Sequence, residues 1–109
     1  MDEICDITVT ADDRDWLVGF VQSLVDDRLV ACGNVTVTPV RSIYRWEGEI
    51  EEADELSVVL HTRRSLADRV IARTEAEHPY DTPQVLVVPV VAAAESYHRW
   101  VLEATSNPE

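Results

Sequence analysis

The chain contains no lysine, and its nine basic residues, all arginine, stand against 21 acidic ones. The formal net charge is −12, so the sequence offers no basic patch for phosphates and predicts neither nucleic acid nor an anionic membrane as a partner. It also lacks a run of about 18 apolar residues that could span a bilayer, and its acidic start, MDEICDITVT, is unlike a secretory signal. We therefore expect a cytoplasmic protein.

Glycine is scarce, with three residues, and the motifs that depend on it are missing. There is no Gly-rich phosphate loop and no nucleophile elbow, and HExxH is absent as well. No pair of nucleophile and base can be nominated, so the sequence predicts a protein that is not an enzyme and has no obligatory cofactor. The two cysteines, Cys5 and Cys32, have neither a CxxC nor a zinc-finger spacing, and reduced thiols are expected.

The remaining composition favours one folded domain over residues 1–109, because 46% of the chain is hydrophobic. Hydrophobic periods of 2 and 3.6 residues alternate along it. They predict a strand at 4–10, a helix from Asp12 or Asp13 to about 28, a strand from about 30 to 46, a strand at 49–62, a helix capped by Ser65 and Asp68 and ended by Pro79, a strand at 84–91 and a helix at 95–104. The order βαββαβ followed by a helix is typical of an α+β, ferredoxin-like fold with an antiparallel sheet.

Two expectations follow from this topology. The first two strands are separated by the third in a ferredoxin-like sheet, so Cys5 and Cys32 should not meet as a disulfide. The apolar segment 84–91 should be a central or covered strand, since continuous burial on both faces suits that position.

The segment SIYRWEGEIEE, residues 42–52, predicts a hairpin with a two-residue turn at Glu47 and Gly48. Residues directly across an antiparallel pair share a face. One face then carries Tyr44, Trp46, Glu49 and Glu51, and the other carries Arg41, Ile43, Arg45, Ile50, Glu52 and Asp54.

This hairpin is too long for its own domain. A strand from about 30 to 46 would extend roughly 50 Å at ~3.3 Å per residue, whereas a compact chain of this length has a diameter of roughly 35 Å. Pro39, which lacks a ladder donor, should divide a domain-bound half from a projecting half. A two-stranded ribbon with exposed apolar side chains is marginal in water, and its free edges invite pairing. We expect an oligomer in which each ribbon docks on a neighbour.

Candidate metal ligands lie in and around the segment HPYDTPQ, residues 78–84. His78 is followed by a proline, and a fixed imidazole is a good ligand for copper, zinc or nickel; alternatively, His78 caps the end of the second helix. Cys32 is a soft ligand or a core residue. Glu51, beside Tyr44 and Trp46, lines a polar and aromatic cleft or is simply solvated.

Three further side chains have ordinary structural interpretations. Tyr97 and Trp100 lie on the apolar stripe of the last helix, where core or interface packing is the expected role. His61 lies on the face of its strand opposite Leu60, where a satisfied or exposed histidine is the default.

Taken together, several segments resemble those of the CutA divalent-cation tolerance proteins, and they cover nearly the whole chain in the right order. They are LVACGNV (29–35), SIYRWEGEIEE (42–52), HTR (61–63), HPYDTPQVL (78–86), VPV (88–90) and SYHRWV (96–101). The resemblance implies a ferredoxin-like subunit that forms a homotrimer through its long hairpins, similar in architecture to PII signalling proteins. It also implies a role in tolerance of divalent metals, copper above all, with metal near the subunit clefts and no accepted reaction.

Carried over by position, the resemblance implies a set of cleft residues. These are Cys32, Tyr44, Trp46, Glu51, His78, Tyr80 and Trp100. Many family members have a cysteine where this chain has Val9 and a lysine where it has His61. The missing thiol weakens a direct Cu(I) role, whereas His61 could supply an imidazole.

Three hypotheses result. The first is a homotrimeric protein of the metal-ion response that binds divalent cations such as copper or zinc through His78, with Cys32 or Glu51 as partners. The second is a PII-like sensor that binds a small organic or anionic ligand in its clefts and acts on a protein partner; Arg41, Arg45 and Arg63 are its only basic candidates. The third is a scaffolding trimer.

Overall fold

The computed structural model describes every residue from Met1 to Glu109, and its central feature is a five-stranded antiparallel sheet. The strands run in the order β2-β4-β1-β5, while β3 pairs with β4 alone. The elements are β1 (Ile4–Ala11), α1 (Arg14–Asp26), β2 (Cys32–Val35), β3 (Val40–Trp46), β4 (Glu49–Arg63), a 3-10 turn (Arg64–Leu66), α2 (Ala67–Glu77), β5 (Val85–Pro89) and α3 (Glu95–Ala104). The predicted ferredoxin-like fold with a last helix is confirmed, and both cysteines are free.

The main core lies between one face of the sheet and helices α1 and α2. Alternate residues of β1, among them Cys5, Ile7 and Val9, are fully buried there together with Leu17 of α1 and Val70 of α2. Each such side chain contributes about 1.5–3 kcal/mol on transfer out of water. Helix α3 packs on the opposite face of the sheet. The other residues of each strand point to that face, because successive side chains of a strand alternate between the two faces.

That second face is covered only at one end. Val101 of α3 is fully buried against Ile4 and Ala31, and Arg63 anchors the same helix by donating to the Thr105 hydroxyl at 3.0 Å and to the Leu102 carbonyl at 2.5 Å. No helix of the chain is both long enough and apolar enough to cross a membrane.

The ends of the first two helices test the capping predictions. The carboxylate of Asp13 accepts a hydrogen bond from the Trp16 N–H at 3.0 Å, as expected of an N-cap. The capping box of Ser65 and Asp68 is wrong, because α2 begins after a 3-10 turn and has no side-chain cap; that turn supplies backbone bonding in its place. The helix does end before Pro79.

Strand β5 differs from its prediction. It pairs with β1 alone and is therefore an edge strand, not a central one. Val85 and Val87 pack against the main core, but Leu86 and Val88 point the other way and are 56% and 48% exposed. The segment is thus apolar on both faces, but only the face of Val85 and Val87 is covered within the chain.

The projecting hairpin is present as predicted. Seven residue pairs join β3 to β4, from Val40 opposite Glu55 to Trp46 opposite Glu49. The long strand expected from about 30 to 46 is interrupted at 36–39, where Pro39 lies. The molecule measures 45 × 27 × 24 Å, and it is elongated because the hairpin extends past the helices.

Candidate functional site

A groove of about 770 Å³ lies where the hairpin leaves the domain, between it and the loop at 80–84. One wall is the hairpin face that carries Ser42, Tyr44 and Trp46 on β3. The other side is formed by the end of β1 and by the loop that follows Pro79. The lining residues are Thr10, Asp12, Ser42, Ile43, Tyr44, Arg45, Trp46, Ala53, Glu55, Tyr80, Asp81, Thr82, Pro83 and Gln84.

Glu55 is the buried acid of this groove. It is 7% exposed, and its Oε2 accepts a hydrogen bond from the Tyr80 hydroxyl at 2.9 Å. The second oxygen, Oε1, accepts no hydrogen bond within the chain and is reached by solvent from the groove. Burial, followed by the hydrogen bond and charge of Glu55, raises the pKa of Tyr80 well above its ordinary value. Tyr80 therefore remains a neutral hydrogen-bond donor.

His78 connects the groove to β1. Its Nε2 lies 2.8 Å from the carbonyl oxygen of Thr10, to which it donates, and its Nδ1 accepts the Tyr80 N–H at 3.0 Å. The ring is 7% exposed and packs on Trp16 and Tyr80, with centroid distances of 4.7 and 4.5 Å. Both nitrogens are thus occupied by backbone groups, and a metal could bind His78 only by displacing one of them.

The alternative interpretation of His78 as a helix cap is only partly met. Its backbone N–H donates to the Thr74 carbonyl at the end of α2. The side chain, however, bonds to β1 and not to the helix.

A second polar cluster surrounds Cys32 on the sheet face that α3 partly covers. Cys32 pairs across strands with His61, whose Nδ1 lies 2.6 Å from the Asp6 carboxylate and whose Nε2 lies 2.8 Å from the Asn34 side-chain oxygen. The Asn34 amide donates to the Cys32 sulfur at 3.7 Å. The Tyr97 ring meets His61 edge-on, 6.1 Å between centroids, and burial raises the pKa of Tyr97. His61 is therefore a satisfied histidine.

The three predicted metal ligands do not meet within one chain. Cys32 lies opposite His61 of β4, and Glu51 is ten residues earlier in that strand, which places it roughly 33 Å away at ~3.3 Å per residue. No group of three or more histidine, cysteine, aspartate or glutamate side chains is arranged to hold a metal ion.

The other predicted cleft residues divide between separate places. Tyr44, Trp46 and Tyr80 do line the groove. Trp100 instead borders a smaller hollow of about 410 Å³ beside Arg28.

The hairpin residues predicted for the oligomer lie on the face opposite Tyr44 and Trp46, although Ile43 and Arg45 also border the groove. Ile43 and Ile50 are 66% and 60% exposed. Arg41 donates to Asp54 at 2.9 Å, and Arg45 donates to the carbonyl of Gly48 at 3.3 Å. No basic wall forms, because Arg45 is the single cation that lines the groove.

The sequence analysis did not identify Glu55 as a residue of the groove. The signal was available, since continuing the alternation of the hairpin from Glu49 and Glu51 by two more steps places Glu55 on the face of Tyr44 and Trp46. What the alternation does not reveal is the partner, Tyr80, which lies 25 residues further along the chain.

Comparisons with known proteins agree with this architecture. The family model described as CutA1 divalent ion tolerance protein matches residues 5–104. The divalent-cation tolerance protein CutA of Pyrococcus horikoshii is 38% identical over 87 residues, which are 80% of this chain and 83% of that protein. The chloroplastic protein CutA of Arabidopsis thaliana is 31% identical over 93% of this chain, which spans 55% of that relative's length. The crystal structure of divalent ion tolerance protein CutA1 from Ehrlichia chaffeensis superposes with a TM-score of 0.91 at 27% identity, covering 97% of this chain and 98% of that one.

Proposed function

This chain belongs to the CutA1 divalent ion tolerance family, and on that premise we propose that it acts in the cytoplasmic response to metal ions as a non-catalytic homotrimer. In this proposal it binds divalent cations such as copper or zinc at clefts between subunits. Its partner is then another copy of the same chain. The metal is a reversibly bound ligand and not an obligatory cofactor.

The observation that carries the proposal is the exposed hairpin. Ile43 and Ile50 present apolar surface on one face of a ribbon that pairs with nothing else in the chain. A two-stranded ribbon of this kind is marginal in water, and docking on another copy would remove it from solvent. The choice of a trimer over a dimer follows the family resemblance.

If Cys32 and Glu51 are metal ligands, the site lies between subunits. Cys32 and Glu51 lie too far apart in one chain to hold one ion, so they can share an ion only if two copies contribute them. A thiolate suits copper and zinc, and a carboxylate completes such a site. His78 joins them only after releasing Thr10 or the Tyr80 backbone, so we place it third among the proposed ligands.

The test is a calorimetric titration of the metal-free protein with Cu²⁺ and Zn²⁺, with the mass determined by light scattering. Cys32→Ser and Glu51→Gln should each weaken saturable binding, while Glu52→Gln should not. Glu52 is a matched control because it carries the same charge on the opposite face of the hairpin. Saturable binding that is equal in all variants would overturn the ligand assignment, and an intact trimer without saturable binding would overturn metal binding itself.

A further inference from the structure

The buried carboxylate of Glu55 has no ion-pair partner. No arginine or histidine of the chain forms an ion pair with it, and its one bond is to the neutral hydroxyl of Tyr80. Burial of an unpaired charge destabilises a fold by several kcal/mol unless hydrogen bonds offset it. In Glu55 one such hydrogen bond reaches Oε2, and Oε1 is left for solvent or for a ligand in the groove.

The groove around Glu55 has the character of a site for positive charge. Asp12, Glu55 and Asp81 line it, and the one arginine among the lining residues, Arg45, donates its guanidinium to the Gly48 carbonyl at the hairpin turn. An anionic ligand would meet three carboxylates here. The groove therefore disfavours the hypothesis of a PII-like sensor that binds an anion at this place.

The same groove is poorly suited to a bare metal ion. Calcium takes six to eight oxygen ligands and magnesium six, whereas Glu55 is the single buried carboxylate and no metal-holding group of three exists. Tyr44 and Trp46 line the groove while 44% and 45% exposed. Aromatic faces attract organic cations when these come within about 6 Å, and a volume of about 770 Å³ lies within the ordinary range for small-molecule sites.

We propose that the groove binds an organic ammonium ion whose N–H groups donate to Glu55 and whose apolar part packs on Tyr44 and Trp46. Tyr80 is a positioning residue, since its hydroxyl holds Oε2 and leaves Oε1 for the ligand. The raised pKa of Tyr80 keeps that hydroxyl protonated. This inference goes beyond the divalent-cation function and does not depend on it.

Three probes of one shape separate charge from burial: phenethylammonium, the neutral phenethyl alcohol and the anionic phenylacetate. Each is titrated calorimetrically into the intact protein in the presence of EDTA, so that divalent metal plays no part. We expect saturable binding of phenethylammonium and at least tenfold weaker binding of the other two. Equal binding of the alcohol would overturn the proposal, because burial of the ring alone would then account for affinity.

The variants assign the contact. Glu55→Gln keeps the shape of the side chain and an acceptor for the Tyr80 hydroxyl, and it should weaken phenethylammonium binding at least tenfold. Glu52→Gln, with the same loss of charge on the opposite hairpin face, should leave it unchanged. Unchanged affinity in Glu55→Gln would refute the assignment.

Trp46→Leu keeps the proposal testable if the buried substitution fails to fold, because Trp46 is exposed near the hairpin tip. The Trp46→Leu variant should bind phenethylammonium severalfold more weakly than the parent protein. The Glu52→Gln variant should bind it as tightly as the parent. Parent affinity in Trp46→Leu would contradict the aromatic contact.

Discussion

Replacing His78 by alanine should destabilise the metal-free protein by about 3–5 kcal/mol. The change leaves the carbonyl of Thr10 and the N–H of Tyr80 without their partners. A buried polar group without a hydrogen bond costs about 1–3 kcal/mol, and Thr10 is 8% exposed. The lost ring contacts with Trp16 and Tyr80 add about 0.5–1.5 kcal/mol each, and the total stays near the lower end of the summed ranges because the Tyr80 N–H is only partly buried.

The assay is urea unfolding followed by tryptophan fluorescence, at one protein concentration and in the presence of EDTA. His98→Ala is the matched control, because that imidazole makes one exposed hydrogen bond to the Asp2 carbonyl. Surface substitutions of this kind usually change stability by about 0.5 kcal/mol or less. If His78→Ala lies within about 1 kcal/mol of the parent, the two hydrogen bonds do not carry the structural role assigned to them.

This result matters for metal binding as well. A loss of metal affinity in His78→Ala has a direct meaning only if the variant is folded under the conditions of the titration. Stability must therefore be measured before calorimetry on that variant is interpreted.

Four further outcomes test the packing and ionisation of the chain. Gly33→Ala should lower stability by about 1–3 kcal/mol in urea unfolding, because an added Cβ would lie 2.5 Å from a valine methyl of α1; parent stability would mean that the core can adjust. Gly48→Ala should cost about 1 kcal/mol or more by the same assay, since its φ of +84° suits glycine, and an unchanged midpoint would contradict strain at the turn. Stability should fall as pH rises above about 10, because burial raises the folded-state pKa of Tyr80 and only the unfolded chain then loses that proton; Tyr80→Phe should flatten the fall in an alkaline series, and an equally steep fall would refute it. A maleimide should label Cys32 in the native protein before Cys5, which is fully buried with a raised thiol pKa, and equal rates by mass spectrometry would contradict this order.

The hairpin could be predicted almost residue by residue because two local signals agree. Alternation set the faces, and Glu47 and Gly48 both take positive φ, 50° and 84°, as a tight turn with the twist of the strands requires. Glu47 departs from the usual asparagine or aspartate, yet the register is unchanged, since the pairing of seven residues outweighs one strained position.

The errors arise where tertiary structure overrides a local pattern. Ser65 and Asp68 have the spacing of a capping box, but the 3-10 turn after β4 occupies that position first. The apolar run of β5 suggested burial on both faces, but Leu86 and Val88 are exposed on an edge strand, and a sequence alone does not show which hydrophobic face the rest of the chain covers.

The contacts of the candidate site lay beyond sequence reasoning for a different reason. His78 bonds to Thr10, which is 68 residues away in the chain, and His61 bonds to Asp6, which is 55 residues away. The residue types were visible, but their partners depend on the strand order and on the exact path of the loop after α2.

The position of Glu55 is fixed before any ligand arrives. The Tyr80 hydroxyl holds its carboxylate, the Tyr80 N–H is held by His78, and His78 is held by β1. A chain of hydrogen bonds therefore connects the sheet to the base of the hairpin, and little conformational entropy remains to be lost there on binding. The side chain is already 7% exposed, so an incoming cation meets an acceptor whose position is fixed in advance. A structural glutamate would more simply pair with an arginine, and none of the ion pairs of the chain includes Glu55.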